Sequence, residues 1–393
     1  MSCLAALSSS VTPTDGDSAS GGAPPSAGGP PTDDGGLPQR PRTAPPKGRG
    51  LVTVVAGIAA LALGAVVWTV PVPYLVELPG PVYNTLGTDN GKDLISIQGH
   101  ETYPAHGELD LTTVYVEGGP NSDVSLLGLI RASLDPSQTI TPVDSVYPKG
   151  TTRQQVSQEN ATEMQNSQDD AVAAALKSLS VQFTQQIKVA ALVDNSASAG
   201  KLQPGDSIVS VAGQPVDSLA AVQKIVAASQ GKPIDVGFAR NGQPHTVSIT
   251  PRDAGQGHYL LGFTVTYAFS FPFKVDFGLS QVGGPSAGMM FALGIIDKLT
   301  PGDLTNGKQI AGTGTISPDG SVGAIGGIVQ KMKGARSHGA TLFLAPGGNC
   351  SDVVGHVPDG LSVVRVDTLD AARKAVEAYA RGGNPASLPQ CTK

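Results

Sequence analysis

The sequence predicts an α/β (α+β) body with a smaller β-rich domain inserted into it, preceded by one transmembrane-length helix and a disordered N-terminal tail. Three observations carry this. Apolar residues fill 40% of the 393 positions, enough for sizeable cores. An uncharged run from Leu51 to Val76 follows a tail holding nine Pro and nine Gly in its first 50 residues. Beyond residue 90, strand-like and helix-like segments alternate, while residues 186–250 read as short strands joined by tight turns.

Composition excludes several classes. The net charge is −6, from 26 basic and 32 acidic residues, which excludes a strongly basic nucleic-acid binder. Three cysteines exclude a disulfide scaffold, and no C-x-x-C pair offers a metal site. No cofactor motif stands out. The mean hydropathy of +0.01 argues against a polytopic membrane protein but leaves room for one span.

Residues 1–50 have no apolar period and cannot offset their ordering entropy, so they read as an unstructured arm. Residues 51–73 read as a transmembrane helix through the lipid bilayer, closed by Pro71 and Pro73, with Trp68 and Tyr74 at the far interface. A cleaved signal peptide is the alternative, disfavoured by the long arm before the run. Arg40, Arg42, Lys47 and Arg49 precede the span, and Glu77 is the first charge after it. The positive-inside bias puts the arm in the cytoplasm and the remaining body outside. Cys3 then lies inside, leaving Cys350 and Cys391 in the oxidising compartment, where they are expected to pair.

In the outer body, 94–99 and 108–116 read as strands. Residues 121–134 read as a helix capped by Ser122 or Asp123, and 151–179 as a helix without Pro or Gly. Within the inserted unit, 187–193 and 208–211 are strands separated by the turn Pro204-Gly205-Asp206. Residues 219–229 form an amphipathic helix, and two last strands join at Asn241-Gly242, a strong hairpin signal. The run A-G-x-L-x-P-G-D-x-I-x-x-V-x-G resembles a PDZ domain, which implies binding of extended peptide at a sheet edge. The stretch SVQFTQQIKV, matched to the peptide-facing strand, lacks the glycine of the usual carboxylate-capturing loop.

Residues 259–380 read as α/β, with strands at 259–265, 274–278, 310–317, 341–346 and 361–366 and helices at 287–298, 328–338 and 369–380. GGPSAG (283–288) places Ser286 where a glycine-rich turn meets an apolar helix. Its hydroxyl is free there, and the backbone N–H groups of Gly284 and Ser286 can hold an oxyanion. The motif also fits the G-x-S-x-G elbow of α/β-hydrolases, with Asp352 and His356 or Asp319 and His338 as partners, but the chain after Ser286 is too short for that fold. The other available base is a lysine whose pKa burial lowers. Lys331 lies one turn into a helix after Gly326-Gly327, among Ile328, Val329 and Met332.

GGPSAG, TGTISPDGSVGAIGG and the following K-x-x-G-A together resemble the proteolytic domain of Lon peptidases. That resemblance implies a Ser–Lys dyad of Ser286 and Lys331, with Thr313 supporting the lysine. Thr315 stands where the family often has Glu. The stretch ENATEMQNSQDDAVAAALKSL resembles the family's helix upstream of the serine, so the PDZ-like unit interrupts one peptidase domain. The boundaries expected are 75–180 for its first part, 183–252 for the PDZ-like domain, 256–381 for its catalytic part and 382–393 for a C-terminal tail. No G-x-x-x-x-G-K-[ST] occurs in the sequence, so the ATPase module of full Lon proteins is not expected. The layout resembles bacterial membrane-anchored, YlbL-like PDZ peptidases. The implied activity is ATP-independent endoproteolysis of unfolded or extended polypeptides outside the cytoplasm, the PDZ unit recruiting or gating, with self-association left open. The alternative is a catalytically silent PDZ adaptor or sensor on a peptidase shell.

Overall fold

The computed structural model describes residues 49–120, 122–279 and 282–392, without the side chains of Arg49, Val66 and Thr69. Of the disordered arm expected over 1–50, residues 1–48 lie outside this description, and Arg49 and Gly50 open helix α1 (Arg49–Thr69). The chain divides into two units, Met1–Ala60 and Leu61–Lys393. The described side chains of α1 are exposed apart from half-buried Val67. Among the described residues no helix is long and apolar enough to cross a membrane. The anchor expected over 51–73 therefore remains an inference from the sequence.

The body begins with β1 (Tyr74–Asn84), β2 (Ile95–Gln98), β3 (Glu108–Glu117), α2 (Leu126–Leu134), β4 (Thr139–Pro142) and α3 (Arg153–Ser178). Next come β5 (Thr184–Leu192), β6 (Ser207–Val211), α4 (Leu219–Ala228), β7 (Ile234–Arg240), β8 (Gln243–Ile249) and β9 (Phe263–Ser270). The last part holds β10 (Lys274–Phe277), α5 (Gly288–Leu299), β11 (Gln309–Gly312), α6 (Ile328–Ser337), β12 (Leu342–Pro346), β13 (Ser362–Val366) and α7 (Leu369–Ala380). Two-residue strands are left unnumbered.

One mixed sheet joins the first and last parts, in the order β13-β12-β11-β3-β1-β4. β13, β12, β11 and β3 run parallel, while β1 and β4 are antiparallel to their neighbours. β10 also pairs with β2 across the insertion. Both faces of the sheet are covered, as a parallel sheet requires. Along β12, Leu342 and Leu344 enter one core and Phe343 and Ala345 the other. α5 is apolar on every side and is buried on every side, from Met289 through Ile296. It lies with the C-terminal half of α3 and with α7 in the first core, whereas α6 packs in the second.

The inserted domain has its own core and the sheet order β8-β7-β6-β5-β9. Here the expected boundaries need correction. The strand read at 259–265 as part of the catalytic segment begins at Phe263 and pairs antiparallel with β5. The insertion therefore extends past 252 to about Ser270, and the strand at that edge of its sheet is β9, with 184–192 one place inside. The residue before β9 is Gly262, in a left-handed conformation at φ +82°. The glycine missing from SVQFTQQIKV thus appears before a different strand.

Local signals account for the smaller shifts. α2 starts later than 121 because Val124-Ser125 pair with Pro71-Val72, and Ser125 caps it in place of Ser122 or Asp123. α3 begins with a capping box between Thr152 and Gln155. The C-terminal tail expected over 382–393 is held to the body. The Arg365 N–H donates to the Pro389 carbonyl, and Cys391 is joined to Cys350 by a disulfide with Cα atoms 4.9 Å apart.

Candidate active site

The site forms where β11 stops. Its last residue, Gly312, pairs with Leu111 of β3, and the chain turns away at Thr313. Past that point α5, on one face of the sheet, and α6, on the other, approach each other. Ser286 lies just before α5, Lys331 on the first turn of α6, and Thr313 between them.

Lys331 Nζ lies 2.7 Å from Ser286 Oγ and 3.0 Å from Thr313 Oγ1, donating to both. Thr313 Oγ1 in turn donates to the Ser286 carbonyl at 3.0 Å, and the Gly314 N–H donates to the same carbonyl at 2.9 Å. The structure thus brings together all three side chains named from the sequence. Lys331 is only 2% exposed. Burial lowers its pKa from the ordinary 10.5 to about 7, and the nearby Glu77 carboxylate opposes that shift. Glu77, half-buried on β1, is itself raised by burial and lowered by Lys331. A lysine near neutrality can shed its proton and act as a base at physiological pH.

The turn carrying Ser286 is shaped by its glycines. Gly284 has φ +85°, a conformation that L side chains rarely adopt. A Cβ on Gly283 would lie 2.7 Å from the Asn160 Cβ, so only glycine lets the turn rest on α3. Ser286 does not cap α5. The cap position is Ala287, with no side-chain hydrogen bond.

One expected role is corrected. The Gly284 N–H donates to the Asn160 carbonyl at 3.0 Å and is not available to an oxyanion. The amides of Ser286 and Ala287 have no acceptor among the described residues. The oxyanion donors that the geometry offers are therefore Ser286 and Ala287, at the electropositive start of α5.

A cleft of about 500 Å³ opens over Ser286, Ala287 and Lys331, bounded by residues 111–116 of β3, Tyr147 and Met164. β3 continues to Glu117, beyond its last pairing with β11 at Leu111, so among the described residues that edge has no strand partner along the cleft. The histidines of the α/β-hydrolase alternative do not reach Ser286. His356 binds the Asp352 carbonyl, and His338 sits at the far end of α6 beside Glu108 and Asp110. Those last three, whose ligand atoms lie within 4.8 Å of one another, are the group among the described residues that could hold a metal, and they lie apart from the dyad.

Sequence reasoning missed Glu77, Asn160, Ser167 and Ala287. Glu77 was noticed only as the first charge after the apolar run. Asn160 and Ser167 fall in the helix singled out by resemblance, but nothing local marks them as contacts of a turn more than 100 residues away.

Two stretches of the chain match known families. Residues 189–240 match the PDZ domain family, and residues 275–376 match the Lon protease (S16) C-terminal proteolytic domain. Lon protease 2 of Bacillus subtilis is 34% identical over 88 residues, 22% of this chain and 15% of that protein. The Lon protease of Campylobacter concisus is 31% identical over 130 residues, 32% of this chain and 16% of that protein. The chain thus spans about a sixth of the length of these relatives. Among solved structures, the PDZ domain of an SdrC-like protein from Listeria monocytogenes is 17% identical, with a TM-score of 0.19, covering 20% of this chain and 85% of that one. A score of that size carries no argument. The family matches support a mixed α/β chain that combines a PDZ domain with a Lon-type serine peptidase domain.

Proposed function

We propose that the chain is an ATP-independent serine endopeptidase of the membrane-anchored, YlbL-like type, held to a bilayer by residues 51–73 with its body outside the cytoplasm. One observation carries the catalytic part: a buried lysine, depressed to near neutrality, in contact with the hydroxyl of a serine whose flanking amides are open. With Lys331 neutral, one of its N–H groups stays on Thr313 Oγ1 while its lone pair accepts the Ser286 proton. The Ser286 oxygen attacks the scissile carbonyl, and the Ser286 and Ala287 amides receive the developing oxyanion. Lys331 then returns the proton to the departing amine, and water, deprotonated by the same lysine, releases the acyl group.

The substrate class follows from the cleft's shape. The unpaired edge of β3 suits an extended backbone, and a folded domain would not fit a cleft of about 500 Å³. Unfolded segments, termini and loops are the substrates proposed. The PDZ domain would recruit them along the exposed edge of β9, where Gly262 supplies the backbone freedom that a carboxylate-binding loop uses. The membrane reading rests on the uncharged run 51–70 and on the basic residues before it. The intact dyad argues against a silent adaptor.

The test has two arms. In intact cells or protoplasts, added protease should remove the body after Glu77 and spare residues 1–50; cleavage of the arm first would reverse the orientation. Purified full-length protein in detergent should cut an unfolded polypeptide without ATP, and the Ser286→Ala protein should not. Equal cutting by both would refute the peptidase reading.

A further inference from the structure

We infer that Ser167 is a positioning residue for the oxyanion site, acting through the peptide unit that joins Pro285 to Ser286. This inference rests on the peptidase reading and adds a residue to its machinery. Ser167 sits in the middle of α3 and is 4% exposed. A serine inside a helix usually points to solvent or bonds back to its own helix. Ser167 instead donates its hydroxyl across the structure to the Pro285 carbonyl at 2.9 Å. Among the described residues the other donor to that carbonyl is the Gly288 N–H, at a longer 3.4 Å.

The carbonyl of Pro285 and the N–H of Ser286 belong to one planar unit. In a trans peptide they point in opposite directions. Anchoring the carbonyl against α3 therefore turns the Ser286 N–H away from α3, toward the cleft that Ser286 and Ala287 line. The next peptide unit is held in the same way, since Thr313 and Gly314 fix the Ser286 carbonyl and so direct the Ala287 N–H. Each of the two open amides is thus oriented by a hydrogen bond to the far side of its own peptide plane.

The surroundings leave the hydroxyl little freedom. A Cβ on Gly288 would lie 2.8 Å from Ser167 Oγ and 2.6 Å from Ile316 Cγ2, so the start of α5 is pressed against α3. Two turns earlier on α3, the Asn160 carbonyl accepts the Gly284 N–H. The helix thereby grips the turn before and after Pro285. Only the Ser167 contact acts on the peptide that carries an oxyanion donor.

The experiment uses full-length wild-type and Ser167→Ala protein in detergent, an unfolded peptide substrate and a peptide boronate as a tetrahedral analogue. Removing an oxyanion donor outright lowers kcat by about 100–1,000-fold, so loosening one should lower it by about 10–100-fold. KM should stay within about twofold, because the extended substrate contacts are untouched. Boronate affinity should fall by the same factor as kcat, and the pH midpoint set by Lys331 should not move. A kcat within about twofold of wild type would overturn the inference. So would a loss of kcat with boronate affinity unchanged, which marks general loosening in place of lost oxyanion alignment. A wild-type protein that cleaves nothing would instead bring down the peptidase reading, and this inference with it.

Discussion

Replacing Lys331 with Met should abolish activity and stabilise the protein. Burial moves the lysine from an ordinary 10.5 to about 7 in the folded chain. Between those values the unfolded chain holds a proton that the folded chain does not. Stability therefore rises with pH across the interval, and at pH 7 the buried lysine disfavours folding by about 4 kcal/mol. Met fills similar volume with no charge. It loses the hydrogen bonds to Ser286 and Thr313, each worth about 1 kcal/mol net. Thr313 keeps its bond to the Ser286 carbonyl, so no buried hydroxyl is stranded. The expected gain for Lys331→Met is about 2 kcal/mol at pH 7. Urea unfolding of both full-length proteins in detergent, at pH 7 and pH 9, measures it. By pH 9 wild type should have recovered about 2 kcal/mol, closing the gap. A gap that does not change with pH, or a Met protein less stable at pH 7, would refute the reasoning.

Three further outcomes follow. In peptide cleavage assays, Lys331→Ala and Ser286→Ala should each remove activity, the pair together no more than either alone, while Thr313→Val should lose about 10-fold because one lysine contact remains. The rate should climb with pH through a midpoint near 7, since the neutral lysine is the active form and its pKa is about 7; a flat profile from pH 5 to pH 9 would contradict the assignment. Replacing Cys350 and Cys391 by Ala should lower stability by about 3–4 kcal/mol by chain-entropy reasoning over a 41-residue separation, with kcat unchanged by urea melts and assays under matched conditions.

The two candidate side chains carry local marks, and the resemblance to the Lon proteolytic domain is what joins them as a dyad. A glycine-rich turn before an apolar helix marks Ser286, and Gly326-Gly327 before the next helix marks Lys331. The helices of the last part were legible for a similar reason, since α7 begins where Thr368 caps it and α5 is apolar throughout. Other features depend on pairings far apart in sequence. β9 looks like any strand before β10, and only its ladder with β5 places it in the inserted domain. The Gly284 amide looked free because nothing in GGPSAG shows that the Asn160 carbonyl faces it. Ser167 is one hydroxyl in a polar helix, and its partner lies 118 residues away. Long-range hydrogen bonds of this kind leave no periodic trace in the chain.

The most direct measurement is the rate at which a serine-reactive phosphonate probe labels Ser286, followed by intact mass as a function of pH. Wild type should acquire one adduct on Ser286, at a rate that rises through a midpoint near 7. Lys331→Ala should label at least about 100-fold more slowly across the range. Labelling of Lys331→Ala at the wild-type rate, or an adduct on a different serine, would contradict the Ser286–Lys331 dyad.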